Sequence, residues 1–439
     1  MRSRQQFCDV IVLSSRASTS LADKPLSDVR TAVDKGLPTR VHRVALLGPY
    51  HSRNLGDTAI QIAVKQSLLM RRPELQIVGV SIDPADTTRS LGIPAFPLSG
   101  CGPDTLHTDG VDINSEAFRS HEGVKGFGWR LRALPRIAVF AGSFDLLVVS
   151  GGGQLDDHWG GAWGHPFLLL AWVVLARLRG ARVAVAGIGL DRLSNPLSRF
   201  FALSALRLAH FRSFRDAGTL AELQRMGLRA PSKVCPDLAF GLDKKPLSSS
   251  DNATPEPFAV VNPVSERTWA GSGDVRQENY LQQLVTACAW LSQQGLRLRI
   301  VCSQAAMDGA TAKRLAKTLL DQHAVRTEIC NAPTVGDYLA QVQGARLVIA
   351  SRLHGAILSL IVGAPVVALA PLRKVTQLME DVGLAAYCVD LQNVTAADLV
   401  PRIAAALQNE PQLRAQVQDH TENFYRVLAT VFDDIAAMA

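Results

Sequence analysis

Five consecutive residues, Ser351-Arg352-Leu353-His354-Gly355, carry the sharpest chemical signal in this 439-residue chain. They follow a short run of buried-strand character, Leu347-Val348-Ile349-Ala350, and precede an apolar helical segment. In α/β proteins, ligands bind outside the carboxyl ends of the strands. Arg352 offers a permanent charge to an anion. His354, two residues on, can transfer protons near neutral pH. A lone histidine at such a turn is usually structural. Here the strand-end position and the nearby arginine favour a functional reading, and a helix start beside His354 favours the role of base.

Other strand ends carry weaker signals, each with a plain alternative. Arg215 follows the strand Phe211–Phe214 and can present its planar fork to phosphate or carboxylate, or simply pair with Asp216 or Asp237. Lys374, after the strand Val366–Leu369, could be a second anion contact or a solvated lysine at a helix start. In the turn His51–Asp57, Asn54 and Asp57 could face a ligand, or could stiffen the loop and cap the next helix. Gly152 and Gly153 follow the strand Asp145–Ser150. Glycine there permits close approach of backbone to ligand, and a following helix start offers free N–H groups to an anion. Tight strand-to-helix turns need glycine whatever they bind, however, and neither the dinucleotide fingerprint nor the Walker A pattern is present. Asp156, Asp157 and His158 are consecutive and lack a spacing that converges on a metal, so no metal site is expected. His165, before Pro166 at a helix start, is better placed for substrate, although an ordinary first-turn residue is the commoner outcome.

The elements that must position these residues alternate between strand and helix. Val44–Leu47, Gln76–Val80, Asp145–Ser150, Val183–Ala186 and Phe211–Phe214 read as strands, with helices such as Asp57–Met70 between them. The pattern restarts at Phe258–Val261 and runs through Leu298–Cys302, Arg346–Ala350 and Val366–Leu369. Between the two series lies Lys244–Pro257, KKPLSSSDNATPEP, the best linker in the chain. The expected organisation is an N-terminal extension (1–40), a Rossmann-like domain (41–243), the linker (244–257) and a second Rossmann-like domain (258–439) with a helical tail. Residues 83–138 read as irregular, an excursion or inserted subdomain. This predicts an α/β protein with two parallel-sheet domains facing a central cleft.

Composition narrows the partners. Hydrophobic residues make up 47% and charged residues 19%, which fits a folded protein with a sizeable core. The formal charge of +7 favours anionic partners. With no dense basic tract and no zinc-finger or RNA-recognition signature, nucleic acid is not expected. That leaves phosphate or carboxylate substrates and acidic membrane surfaces. Seven scattered cysteines, none in a CxxC pair, suit a reducing compartment. The apolar stretch near Pro166–Ala176 is about half of the roughly 20 residues a spanning helix needs, and no signal peptide is evident. The expected location is the cytoplasm, or the inner face of a membrane through peripheral association.

Taken in order, Asn54-Leu55-Gly56-Asp57, strand–Gly-Gly-Gly, strand–Gly-Ile-Gly, Arg215-Asp216, Pro236-Asp237, Ser-Arg-Leu-His-Gly and the strand-end Lys374 resemble the polysaccharide pyruvyl transferase family. The likeness runs from about Val44 to Val389. It implies a glycosyltransferase-B-like pair of Rossmann-type domains, phosphoenolpyruvate as donor substrate with no cofactor, and a sugar in a polymeric or lipid-linked glycan as acceptor. It implies Arg352 and His354 as the donor-binding arginine and catalytic histidine, Arg215 as a further donor contact, and His165 as a weaker match. Phosphoenolpyruvate carries a phosphate and a carboxylate, which together call for at least two cations. Its methylene carbon must gain a proton, a sugar hydroxyl must attack the adjacent carbon and lose one, phosphate must leave, and a second hydroxyl closes the ketal. A nucleotide-sugar glycosyltransferase of the same architecture is the alternative. It would commonly need an acidic ribose-binding residue, and no E-x(7)-E-like pattern is well placed. A non-catalytic glycan-binding protein is disfavoured by the pairing of Arg352 with His354.

Overall fold

The computed structural model describes residues 42–48, 54–100, 125–157, 160–243, 256–265 and 274–439. The expected N-terminal extension, nearly all of the expected linker, residues 51–53 and residues 158–159 lie outside this description. The described chain forms two compact units. Residues 42–48, 60–241 and 427–439 belong to the first, and residues 54–59 and 242–426 to the second.

The first unit is built from β1 (Arg43–Leu47), most of α1 (Leu55–Arg71), β2 (Gln76–Ser81), α2 (Pro84–Leu91), β3 (Ala95–Pro97), α3 (Lys125–Ala141), β4 (Leu146–Ser150), β5 (Leu155–Asp156), α4 (His165–Leu178), β6 (Arg182–Ile188), β7 (Leu190–Arg192), α5 (Pro196–Leu208), β8 (Phe211–Phe214), α6 (Ala217–Arg225) and β9 (Lys233–Val234). Seven strands form one parallel sheet in the order β3-β2-β1-β4-β6-β8-β9. Every residue of β1 and β4 is buried, as expected of parallel strands covered on both faces. Phe96 stacks on Phe140 at 4.3 Å, and Trp172 of α4 meets both rings edge-on. The Trp172 indole N–H donates to the Leu98 carbonyl at 2.8 Å, so this large ring is buried without an unpaired donor.

Part of the segment expected to be irregular is regular. Asp83 caps α2 by accepting from the Asp86 N–H, β3 adds an edge strand, and α3 starts at Lys125. Helix α3 contains Gly126, Gly128 and Pro135, which weaken its helical reading from sequence. Tertiary packing overrides that preference: Ala133, Ile137, Phe140 and Ala141 are all buried in the core.

The second unit comprises β10 (Phe258–Asn262), α7 (Asp274–Gln293), β11 (Arg297–Val301), α8 (Ala305–His323), β12 (Thr327–Cys330), α9 (Val335–Val342), β13 (Leu347–Ala350), α10 (Leu353–Ile361), β14 (Val366–Ala370), α11 (Arg373–Asp381), β15 (Cys388–Asp390), α12 (Ala396–Gln408) and most of α13 (Glu410–Ala436). Its six-stranded parallel sheet has the order β12-β11-β10-β13-β14-β15. The last residues of α13, from Val427, belong to the first unit, where Arg71 donates to Asp433 at 2.6 Å and to the Ala429 carbonyl at 3.0 Å. The division is therefore not the contiguous 258–439 expected for the second domain. An amphipathic tail helix follows the apolar surface available to it rather than sequence order.

Both sheets reverse their strand order beside the first strand, between β1 and β4 and between β10 and β13. Loops leaving adjacent parallel strands diverge at such a switch point and leave a crevice at their carboxyl ends. The sheets thus nominate two places: the turn after β4, at Gly151–Gly153, and the turn after β13, at Ser351–Gly355.

Candidate functional site

In the second unit, the carboxyl ends of β10, β11, β13 and β14 bring Asn262, Ser303, Ser351–His354 and Lys374 to one edge of the sheet. Ser351 is fully buried. Its N–H donates to the Asn262 carbonyl at 2.9 Å, and its hydroxyl shares a 2.8 Å hydrogen bond with the Tyr280 hydroxyl. Tyr280 in turn accepts from the Val264 N–H at 3.1 Å. Burial pushes the Tyr280 phenol well above its usual range, so it remains a neutral tether. Ser351 therefore anchors the turn. Leu353 is buried beneath it and opens α10.

Arg352 lies at the N-cap of α10 but makes no side-chain cap bond. Instead, its Nε and Nη2 donate to the two carboxylate oxygens of Asp308 at 2.9 and 2.8 Å. Asp308, on α8, is fully buried and also accepts from the Ser265 N–H at 2.9 Å. This bidentate pair fixes the plane of the guanidinium and offsets its charge. The Nη1 end makes no hydrogen bond among the described residues.

His354 is half-buried in the first turn of α10. Its ring lies against the backbone of Gly56, in the first turn of α1, so closely that a Cβ at Gly56 would overlap the imidazole Nδ1 and Cγ. The Gly56 turn is itself held firmly. The Leu55 N–H donates to the Ser303 carbonyl at 3.1 Å, the Gly56 N–H to Asn54 Oδ1 at 3.2 Å, and the Asn54 amide to Asp57 at 2.6 Å. Asn54 and Asp57 thus take the capping role, and through Gly56 the cap sits beside the histidine. Gly355 is matched in the same way to Asn262, whose Oδ1 occupies the space a Cβ would need. Asn262 Nδ2 donates to the Val301 carbonyl at 2.8 Å. Lys374 is half-buried at the start of α11, which opens with Arg373-Lys374, has no acid in its first turn and lacks a side-chain cap. Two cations at the positive end of a helix cost about 0.3–1 kcal/mol each. A bound anion would reverse that cost.

The first unit gathers a second set. Gly151 and Gly152 have φ values of 57° and 70°, a conformation that favours glycine, and they turn the chain after β4. The Gly152 carbonyl accepts from the Gly189 N–H at 2.8 Å, and β5 pairs with β7, so the turns after β4 and β6 are joined. Asp191 fills the space beside the Gly153 Cα. Arg215 lies against Gly189 in the same manner, with its side chain 8% exposed. Its carboxylate neighbours are distant, Asp216 at 3.9 Å and Asp237 at 3.8 Å. Asp216 caps α6 by accepting from the Thr219 N–H at 2.6 Å, and Asp237 accepts from the Ala239 N–H at 3.0 Å through Oδ1, with Oδ2 toward Arg215. Arg215 thus faces two carboxylates at longer range, where Arg352 is clamped by one. His165 is buried at the start of α4, and neither ring nitrogen has a hydrogen-bond partner among the described residues. Burial lowers its pKa to about 4, so it is neutral at physiological pH.

Asp308, Asn262 and Tyr280 carry no mark in the sequence pattern, and Gly56 stands there only as part of the Asn54–Asp57 motif. One signal existed for Gly56. A glycine inside a helix weakens it by about 1 kcal/mol, so its presence hints at a close approach. Asp308, in an ordinary helical run, carried none.

Two Rossmann-type parallel-sheet units, with an arginine and a histidine at a strand-end turn, define a glycosyltransferase-B-like α/β protein. The sequence signature of polysaccharide pyruvyl transferase matches residues 54–372, and the chain belongs to that family. It is accordingly a transferase of polysaccharide biosynthesis. No curated protein sequence gives a match. Among solved structures, the fold resembles S. aureus MnaA determined with UDP, at 12% identity and TM-score 0.53, covering 86% of this chain and 90% of that one. It also resembles UDP-GlcNAc 2-epimerase from Methanocaldococcus jannaschii, at 12% identity and TM-score 0.51, covering 83% and 92%. A glycosyltransferase from Rickettsia africae gives 10% identity and TM-score 0.50, covering 90% and 99%. At these identities the likeness concerns the fold.

Proposed function

We propose that this protein transfers a pyruvyl group from phosphoenolpyruvate to hydroxyls of a sugar in a polysaccharide or lipid-linked oligosaccharide, forming a pyruvate ketal and releasing phosphate. The observation that carries this reading is the turn after β13, where a half-buried His354 is held against Gly56 beside an arginine fork fixed by Asp308. His354 accepts the proton of the attacking sugar hydroxyl. The Nη1 end of Arg352 and the cationic start of α11 at Lys374 attract the anionic donor. Arg215 is the anion contact of the first unit. Proton delivery to the methylene carbon makes its neighbour electrophilic. The hydroxyl oxygen bonds to that carbon, its proton goes to His354, the bond to phosphate breaks, and a second hydroxyl bonds to the same carbon to close the ring, its proton leaving with the phosphate.

No cofactor is needed in this scheme. Burial pushes the thiols of Cys235, Cys288 and Cys302 up to about 12 and that of Cys330 up to about 11, and raises Cys388. Unpaired cysteines suit a reducing cytoplasm. Among the described residues, no helix is long and apolar enough to cross a membrane.

Ligand-induced stabilisation tests the donor. Phosphoenolpyruvate at about 100 times its Kd should add roughly 2.7 kcal/mol to unfolding stability, seen as a rise in melting temperature, whereas nucleotide sugars should add nothing. The opposite pattern would favour a nucleotide-sugar glycosyltransferase.

A further inference from the structure

We propose that the outer face of α4 and α5, in the first unit, docks on an anionic membrane surface. The two helices pack side by side. Trp163 and Phe167, around the start of α4, meet Phe201 of α5 at 5.3 and 5.8 Å. At the far end, Arg177 of α4 donates to the carbonyl of Leu208, the last residue of α5, at 3.1 Å. The pair therefore runs parallel, and by helical spacing Leu197, Phe200 and Leu208 share one outer face of α5.

That face is apolar where a solvated helix would be polar. Phe200 is 58% exposed and Leu178 75%, with Trp163, Leu197 and Leu208 each 37% exposed. Neither helix contains an aspartate or glutamate, and their only charged residues are Arg177, Arg199 and Arg207. Arg179 follows directly. These four guanidiniums donate to backbone carbonyls, those of Leu208, Ala138, Leu193 and Gly227. Among the described residues none of the four is paired with a carboxylate, so their charge is not neutralised by the protein. The local field registers on His210, whose pKa is lowered first by burial and then by Arg177, Arg182 and Arg212.

Exposed aromatic and aliphatic side chains among unneutralised arginines match the boundary of an anionic bilayer. Negative headgroups meet the arginines there, while Trp, Phe and Leu enter the acyl boundary. One signal alone binds a membrane only marginally, and this face supplies both. A protein partner of the same fit would have to be both acidic and apolar. The inference is independent of the donor chemistry proposed above.

The test is co-sedimentation of the full chain with vesicles of phosphatidylcholine alone or mixed with phosphatidylglycerol. The protein should pellet with the mixed vesicles and not the neutral ones, and binding should weaken as salt rises. Leu197→Ser with Phe200→Ser should reduce binding about ten-fold or more, as should Arg199→Gln with Arg207→Gln. Lys317→Gln with Arg426→Gln, exposed cations of the second unit, should leave it unchanged. Melting temperatures near that of the parent would show that the variants fold. Failure to pellet with phosphatidylglycerol, equal binding to neutral vesicles, or variants binding like the parent would overturn the proposal. So would a stable dimer in light scattering that Leu197→Ser/Phe200→Ser dissociates and mixed vesicles do not, which would assign the face to a second copy.

Discussion

The two units solve the same problem differently at the carboxyl ends of similar sheets. In the first, Arg215 packs on Gly189 and keeps its carboxylate neighbours at 3.8 and 3.9 Å, and the nearby His165 is buried with neither nitrogen bonded among the described residues. In the second, Arg352 is clamped by Asp308 at 2.8 and 2.9 Å, and His354 is half-buried against a capped helix turn. A guanidinium without a close hydrogen bond to a carboxylate can turn to meet an anion. A clamped one gives up that freedom in exchange for fixed direction. The histidines differ too: burial holds His165 neutral, while His354 stands half-buried against the Gly56 turn. Under the proposed function, proton transfer falls to the second unit and an anion contact to the first.

Three perturbations would break or sharpen that contrast. Gly56→Ala should have the largest effect. The added methyl must displace the imidazole, so turnover should fall by the 10²–10⁴-fold typical of losing a positioned acid or base, at a folding cost of only about 1–3 kcal/mol. Steady-state kinetics beside a melting curve would show it, and unchanged turnover would remove Gly56 from the site. Asp308→Ala should come next. It strands a buried arginine and the Ser265 N–H, so denaturant unfolding should show a loss of about 3–5 kcal/mol. Asp308→Asn keeps the shape and should cost less, while raising KM for the donor more than it lowers kcat. Equal stability of the Ala variant would mean the clamp contributes nothing. The smallest effect belongs to His165. Its folded pKa, about 4, lies below its unfolded value near 6.5, so the unfolded chain takes up the proton first. Stability should therefore fall as pH drops from about 6.5 to about 4, by up to roughly 3 kcal/mol. His165→Gln should flatten that part of the pH–stability curve.

Much of this frame was legible from pattern. The buried runs of β1, β4, β10, β13 and β14 read directly as strands because parallel strands covered on both faces are continuously apolar. The edge strands β12 and β15 did not. Thr327–Cys330 has no fully buried residue and Cys388–Asp390 has one, so neither carries the signal. At the site, Ser351–Gly355 could be found because its chemistry is local in sequence. Its supports could not. Asp308 lies 44 residues from Arg352, and Gly56 is nearly 300 residues before His354, so only folding shows that they meet.

Under the proposed function, His354 serves a pyruvyl transfer at the β13 turn. The most direct test incubates the purified protein with phosphoenolpyruvate and candidate glycans, and follows free phosphate together with glycan mass. The parent protein should release phosphate and add a pyruvyl mass to the glycan, and His354→Ala should do neither while melting like the parent. A His354→Ala protein that still forms the ketal at the parent's rate would contradict the account.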